Sequence, residues 1–162
     1  MRAGVFFCRG LRSHIRMERS LLDKLAAEIH RYQNKDFLKA AMAVCALSAN
    51  ADDEVSLSER YSIDHAIANE PALRVFDASK AIKILDEYIF ALRQEGDRAK
   101  QVLYNKVRRM AGDYKRSRTL MRVAYLVITA DHEIRDEEKR EFAHLCALLD
   151  LEPGQVWKES AL

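Results

Sequence analysis

Residues 44–59, VCALSANADDEVSLSE, and residues 123–138, VAYLVITADHEIRDEE, decide the fold. Each stretch reads as the end of an apolar helix, an acidic turn and the start of a second helix. The two stretches align at a shift of 79 residues, which places Asp52 on Asp131. Such a repeat predicts two pseudo-symmetric halves, each built as helix, acidic turn and helix, that pack against one another.

The acids of this repeat admit two interpretations. Asp52 and Asp131 stand in the turns, and Glu59 and Glu138 follow seven positions later in the first turn of the next helix. Carboxylate oxygens at a loop and a helix start suit a hard cation such as Ca²⁺, although the spacing is not that of an EF-hand. Helix capping is the alternative, because Ser56-x-x-Glu59 is a capping box and acids near a helix N-terminus are favoured by the helix dipole. Capping does not explain the matched aspartates, so both interpretations stay open.

Helical spacing of apolar residues continues along the rest of the chain, and no segment alternates with period two. The chain has 162 residues, of which 49% are hydrophobic, and only 5 Gly and 2 Pro. We therefore predict an all-α fold, a single compact domain of about seven helices. The predicted helices cover residues 18–32, 36–49, 56–69, 77 or 79 to 93, 97–110, 115–129 and a stretch that Asp136 can cap, with a short last turn from Pro153. We take residues 115–129, with their run of Leu, Val and Ile, to be the most apolar helix and expect it to be central.

Charge is balanced overall but unevenly distributed. The net charge is +2, which gives no general reason to expect nucleic acid or anionic lipid as a partner. Residues 98–122 nevertheless carry nine basic residues and one acid, and residues 131–152 carry eight acids and three bases. The basic stretch, with Tyr104 and Tyr114 interleaved, could meet phosphates or an anionic membrane surface. The alternative is the ordinary solvated face of a helix.

The cysteines give no sign of a zinc site or a disulfide framework. Cys8, Cys45 and Cys146 are odd in number and lack C-x-x-C spacing, which is typical of a reducing compartment. Cys45 and Cys146 stand in apolar runs, so we expect them to be buried and unreactive.

Motifs of catalysis are missing as well. The sequence has no nucleophile elbow, Gly-rich phosphate loop or His-Glu-x-x-His pattern, so we expect no enzyme, no catalytic residue and no small-molecule substrate. Glu141-x-x-His144 resembles half of a di-iron motif, but the position equivalent to Glu141 in the first half is Ser62. We expect His144 and its equivalent, His65, to be partly buried polar residues.

The first 17 residues differ from the rest. They carry Arg2, Arg9, Arg12 and Arg16 and no acid, a pattern shared by transit peptides and basic membrane-surface segments. We expect residues 1–17 to be an unstructured leader or a mis-assigned start, and residues 18–162 to form the domain. No apolar stretch approaches the roughly 20 residues that a membrane-spanning helix needs.

Five segments, in this order and at these separations, resemble the TerB tellurite-resistance family. They are RYQNKDF at 31–37, AVCA at 43–46, LRVFD at 73–77, ADHEIRDEEK at 130–139 and LLDLEP at 148–153. The resemblance runs from about Glu18 to Trp157 and leaves out the Arg-rich leader.

The resemblance implies a small, non-enzymatic, all-α protein with one acidic and one basic face. It implies binding of a divalent metal, chiefly calcium, through Asp52, Glu59, Asp131 and Glu138. It also implies a cytoplasmic protein that acts with a membrane partner, TerC, at the inner face of the cytoplasmic membrane, in resistance to tellurite and related stresses.

Two positions depart from the family pattern. The family usually has Gly directly after the turn aspartate, whereas this chain has Asp53 and His132. Asp and His tolerate a left-handed backbone better than most residues, so the turns can form, but His132 makes the second turn less acidic. Two hypotheses remain: a calcium-binding adaptor of the resistance system, and a metal-independent module whose basic helices dock on a membrane partner or nucleic acid. An enzyme that reduces tellurite would need a thiol or redox centre, which the cysteine spacing does not favour.

Overall fold

The structure, a computed structural model, describes residues 35–50, 55–130 and 134–161. These ranges contain seven α-helices and no strand, and they belong to one compact unit. The helices are α1 Lys35–Ala49, α2 Leu57–Asn69, α3 Ala78–Glu95, α4 Asp97–Arg108, α5 Tyr114–Ile128, α6 Asp136–Leu148 and α7 Pro153–Ser160. The prediction of an all-α domain is confirmed, and the helix predicted over residues 18–32 and the expected leader lie outside the described residues.

Helix α1 is the central helix of the described unit. From Phe37 onward every residue of this helix except Lys39 is buried. It contacts α2, α3, α4, α5 and α6, because its many alanines let neighbouring helices approach closely on several sides. We expected residues 115–129 to be central, and that prediction was wrong. Helix α5 is rich in apolar residues but carries Arg118 and Arg122 on an exposed face, so it packs on the core from one side.

Capping residues set the start of several helices. Ser56 Oγ accepts from the amide of Glu59 at 3.1 Å where α2 begins, as the capping box predicts. Asp77 accepts from the amide of Lys80 at 3.0 Å before α3, and Asp113 accepts from the amide of Arg116 at 3.1 Å before α5.

Helix α6 begins differently from the prediction. We expected Asp136 to be its N-cap, but the helix starts at Asp136 and Arg135 stands at the cap position. The Asp136 carboxylate is exposed and pairs with Lys139 at 3.2 Å. The amide of Arg135 instead donates to Glu138, so the capping function moves from Asp136 to Glu138.

The two helix pairs that flank the repeated turns contact one another. Helix α1 packs against α5, α2 packs against α5, and α1 packs against α6, so each pair touches the other pair. Several equivalent positions are buried alike, as Val44 and Val123 or Ile63 and Phe142 show. A two-fold relation between the pairs stays a prediction.

None of the helices in the described ranges is both long and apolar enough to cross a membrane.

Candidate functional site

The four predicted metal ligands divide into two groups in the structure. Asp52 and Asp131 lie in the turns at 51–54 and 131–133, outside the described residues. Glu59 and Glu138 are described, and each is the third residue of the helix that follows its turn. The described half of the candidate site therefore consists of two glutamates in equivalent positions.

Glu59 is held in place by the backbone at the start of α2. Its side chain accepts from the amide of Ser56 at 2.6 Å, and the residue is only 5% exposed. The reciprocal bond from the Glu59 amide to Ser56 completes the capping box. A buried carboxylate is therefore fixed in the first turn of the helix that follows residues 51–54 in the sequence.

Glu138 repeats this arrangement at the start of α6. Its side chain accepts from the amide of Arg135 at 2.7 Å, and the residue is only 4% exposed. The N-cap residue differs, because a guanidinium has no acceptor that could return the bond as a serine hydroxyl does. The backbone hydrogen bond and the burial are nevertheless the same in both halves.

The chemistry of these donors fits a hard divalent cation. Burial of a carboxylate costs free energy unless hydrogen bonds, a positive charge or a metal ion offset the lost hydration. A backbone N–H helps to fix the direction of each carboxylate, and carboxylate oxygens are the ligands that Ca²⁺ prefers. Within the described ranges no group of three or more His, Cys, Asp or Glu side chains could hold a metal ion. A site built on Glu59 or Glu138 would thus need the turn residues as further ligands.

The basic stretch forms a surface that is partly neutralised. Arg116 pairs with Asp113 at 3.5 Å, and Arg118 pairs with Glu159 at 2.6 Å. Arg108 and Arg109, at the end of α4, are exposed and form no ion pair with any described residue. The available positive charge is therefore concentrated at the end of α4.

Two other cations of the basic stretch, Arg122 and Lys106, are also engaged. Two nitrogens of Arg122 donate to the carboxylate of Glu70 at the end of α2. The ammonium of Lys106 lies over the ring of Tyr88, 5.8 Å from its centroid. Counting charges along the sequence could not reveal these contacts, since the partners come from other helices.

A polar cluster joins α4 and α6. The hydroxyl of Tyr104 donates to Glu141 Oε2 at 2.9 Å, and the ring of Tyr104 meets the ring of His144 edge-on at 4.6 Å between centroids. Glu141 Oε1 is buried and has no hydrogen-bond partner. Burial raises the pKa of Glu141, while the Tyr104 hydrogen bond, His144 and Lys100 oppose that rise.

This cluster was only partly visible in the sequence. The Glu141-x-x-His144 spacing singled out two members, but Tyr104 comes from a different helix. Burial, followed by the charge of Glu141, raises the pKa of Tyr104, so its hydroxyl remains a proton donor at neutral pH. The expectation that His65 and His144 are partly buried was wrong, because both are exposed.

The described cysteines are unsuited to thiol chemistry. Cys45 and Cys146 are fully buried and reduced. Burial raises the pKa of each thiol to about 12, so both remain protonated at neutral pH. The prediction that these two residues are buried is confirmed, and Cys8 lies outside the described residues.

Comparisons with known proteins agree with the resemblance seen in the sequence. The model of the family described as "Tellurite resistance protein TerB" matches residues 38–158. A tellurium resistance protein TerB from Alcaligenes sp. is 31% identical over 67 residues, which is 41% of this chain. The matched region spans 55% of that relative's length. No solved structure matches the chain significantly.

Proposed function

The chain belongs to the TerB tellurite-resistance family, and we propose that it is a non-enzymatic, calcium-binding adaptor of the tellurite-resistance and stress system. In this proposal each acidic turn and the helix after it bind one divalent cation, and a membrane-associated protein such as TerC is the partner. The protein would act at the inner face of the cytoplasmic membrane.

The observation that carries the proposal is the equivalent placement of Glu59 and Glu138. Both are buried third residues of a helix, and both accept from the amide three positions earlier. Capping alone requires neither burial nor an aspartate at matching positions of the preceding turns. A bound cation would add positive charge beside carboxylates that already point in a fixed direction.

A non-enzymatic role is supported by the state of the described thiols. Reduction of an oxyanion by cysteine needs an accessible thiolate, and Cys45 and Cys146 are buried with raised pKa values. Resistance that persists in a chain with Cys8, Cys45 and Cys146 all replaced by Ser or Ala would agree with this part of the proposal. Loss of resistance with the fold intact would contradict it.

A calcium titration followed by amide NMR tests the metal site. With the full 162-residue chain, we expect saturable shifts at the residues that follow the turns, starting at Val55 and Ile134. Asp131→Asn and Glu138→Gln should each weaken binding at the second site by about tenfold or more, because a formal charge is lost from the ligand set. Magnesium and zinc are the comparison ions.

Glu137→Gln is the matched control for this titration. Glu137 stands next to Glu138, but its side chain is half-exposed and pairs with Arg140. Its substitution removes the same charge and should leave the calcium shifts nearly unchanged. If millimolar calcium shifted no resonance, or if Glu137→Gln weakened binding as much as Glu138→Gln, the carboxylates would act as caps only.

A second function is favoured by the free cations at the end of α4. Arg108 and Arg109 are exposed without an ion-pair partner among the described residues, so this surface can dock on anionic groups without any metal. Sedimentation with vesicles of mixed neutral and anionic lipid tests it. Binding that falls with salt, that Arg108→Glu/Arg109→Glu abolishes and that EDTA leaves unchanged would support it. Lys80→Glu, an exposed charge reversal at the start of α3, is the control.

A further inference from the structure

A groove of about 300 Å³ lies between the start of α2 and the second half of α3. Two large apolar side chains border it, Leu57 at 90% exposed and Phe90 at 65% exposed. Neither belongs to the hydrophobic core or packs against it as a partly buried neighbour. Exposed apolar side chains that stand together beside a groove are typical of an interaction surface.

Charges of both signs stand on the same groove. Arg93 is exposed and forms no ion pair with any described residue. Asp86 is half-exposed and accepts from Arg60 Nη1 at 2.6 Å, which leaves lone pairs on its carboxylate for another donor. The side of α3 that lines the groove thus carries an acid, Asp86, at one end. At the other end it carries Arg93, a cation without an ion-pair partner among the described residues.

The spacing of these residues makes the surface self-complementary. At 100° per residue, Asp86, Phe90 and Arg93 lie within one side of α3, with Asp86 four positions before Phe90 and Arg93 three positions after it. If two such helices cross antiparallel with Phe90 at the centre, Arg93 of each copy comes level with Asp86 of the other. A two-fold contact needs a patch that matches itself in this way.

From this match we propose that the Phe90 groove, defined by Leu57, Asp86, Phe90 and Arg93, is a homodimer interface that takes a second copy of this chain. Phe90 and Leu57 supply the apolar centre, and two reciprocal Arg93–Asp86 pairs supply the rim. An aromatic residue at the centre with arginine beside it is the composition that dominates binding energy in protein interfaces. The inference does not depend on metal binding.

The mass of the full chain in solution, measured by sedimentation equilibrium from micromolar to millimolar concentration, tests the proposal. We expect a monomer–dimer equilibrium, and Phe90→Ser should raise the dissociation constant of the dimer about tenfold or more. Val102→Ser is the control, because Val102 is a half-exposed apolar residue of α4 outside the groove. Thermal unfolding establishes that both variants are folded. A wild-type chain that stays monomeric at millimolar concentration overturns the proposal, and so does a dimer that Phe90→Ser leaves unchanged.

Charge reversal tests the orientation of the two copies. Arg93→Glu and Asp86→Arg should each prevent dimerisation on their own, because both reciprocal contacts become repulsive. In a heterodimer of the two variants, each rim contact again joins an acid with a base. In an equimolar mixture the heterodimer should therefore form in preference to either homodimer. Failure of the mixture to associate, with both variants folded, would overturn the antiparallel arrangement about Phe90.

Discussion

Glu141 is a carboxyl group whose ionised form the folded protein disfavours. Burial raises its pKa, and its Oε1 has no hydrogen-bond partner. In the unfolded chain the pKa should return to near 4.5. The folded state therefore binds more protons above that pH, and the stability of the wild type should fall as the pH rises through the folded-state pKa.

Glu141→Gln removes this dependence. We expect the variant to gain stability relative to the wild type as the pH rises from below 4.5 to neutral, because the amide keeps an acceptor for Tyr104 without burying a charge. Urea unfolding across that pH range measures the difference. Glu137→Gln, at a half-exposed position of the same helix, should show no such trend. A difference between Glu141→Gln and wild type that does not change with pH would contradict the assignment.

At single residues, local spacing predicted capping hydrogen bonds better than it predicted the burial of a side chain or its partners in other helices. Ser56-x-x-Glu59 was read correctly as a capping box, because the two bonds join groups three residues apart. The exposure of His65 and His144 was predicted wrongly, since burial depends on which helices pack nearby. The partner of Glu141 was missed for the same reason, because Tyr104 is 37 residues away.

Among the elements, helix ends carry the clearest local signals. Gly96 ends α3 with φ of +52°, a conformation that side chains with a Cβ rarely adopt. A Cβ at this position would meet no atom within 4 Å, so any cost of substitution comes from the backbone alone. The end of α3 at Gly96 was therefore predictable from the sequence for a sound physical reason.

Gly96→Ala should lower the free energy of unfolding by about 1–3 kcal/mol. Gly154→Ala is the matched comparison, because Gly154 lies inside α7 and a Cβ there makes only an ordinary contact, 3.9 Å from Glu152 Oε1. That variant should be neutral or more stable by up to about 1 kcal/mol. Chemical denaturation of both variants gives the answer. Equal changes in the free energy of unfolding of the two variants would show that adding a Cβ at Gly96 does not strain the backbone.

The helix at the centre of the core was harder to predict than the ends of the helices. Residues 115–129 were taken to be the most apolar helix, whereas α1 has the larger share of apolar residues and is buried along nearly its full length. Apolar content measures how much surface a helix can bury, but small side chains decide how many neighbours can approach it. The five alanines at 40, 41, 43, 46 and 49 were the available signal for α1.

Across the whole molecule, the repeat and the helix periodicity predicted the class and the element order, because both are written in local spacing. Ion pairs between distant helices were not predictable. Arg122 and Glu70 are 52 positions apart, and their pairing neutralises part of a stretch that looked strongly basic. The candidate metal site lies only partly within the described residues. The capping glutamates are described, and the proposed turn ligands Asp52 and Asp131 are not.

The pair between Glu70 and Arg122 should contribute more to stability than other ion pairs of the surface. Glu70 is only 8% exposed at the end of α2, so Arg122→Ala would leave a buried carboxylate without its cation and should cost about 2 kcal/mol. Arg118→Ala, which breaks the more exposed pair with Glu159, should cost about 0.5 kcal/mol or less. Urea unfolding of both variants makes the comparison, and adding Glu70→Gln to Arg122→Ala should recover part of the loss. Equal losses in the two arginine variants would mean that burial of Glu70 does not strengthen this link between the helix pairs.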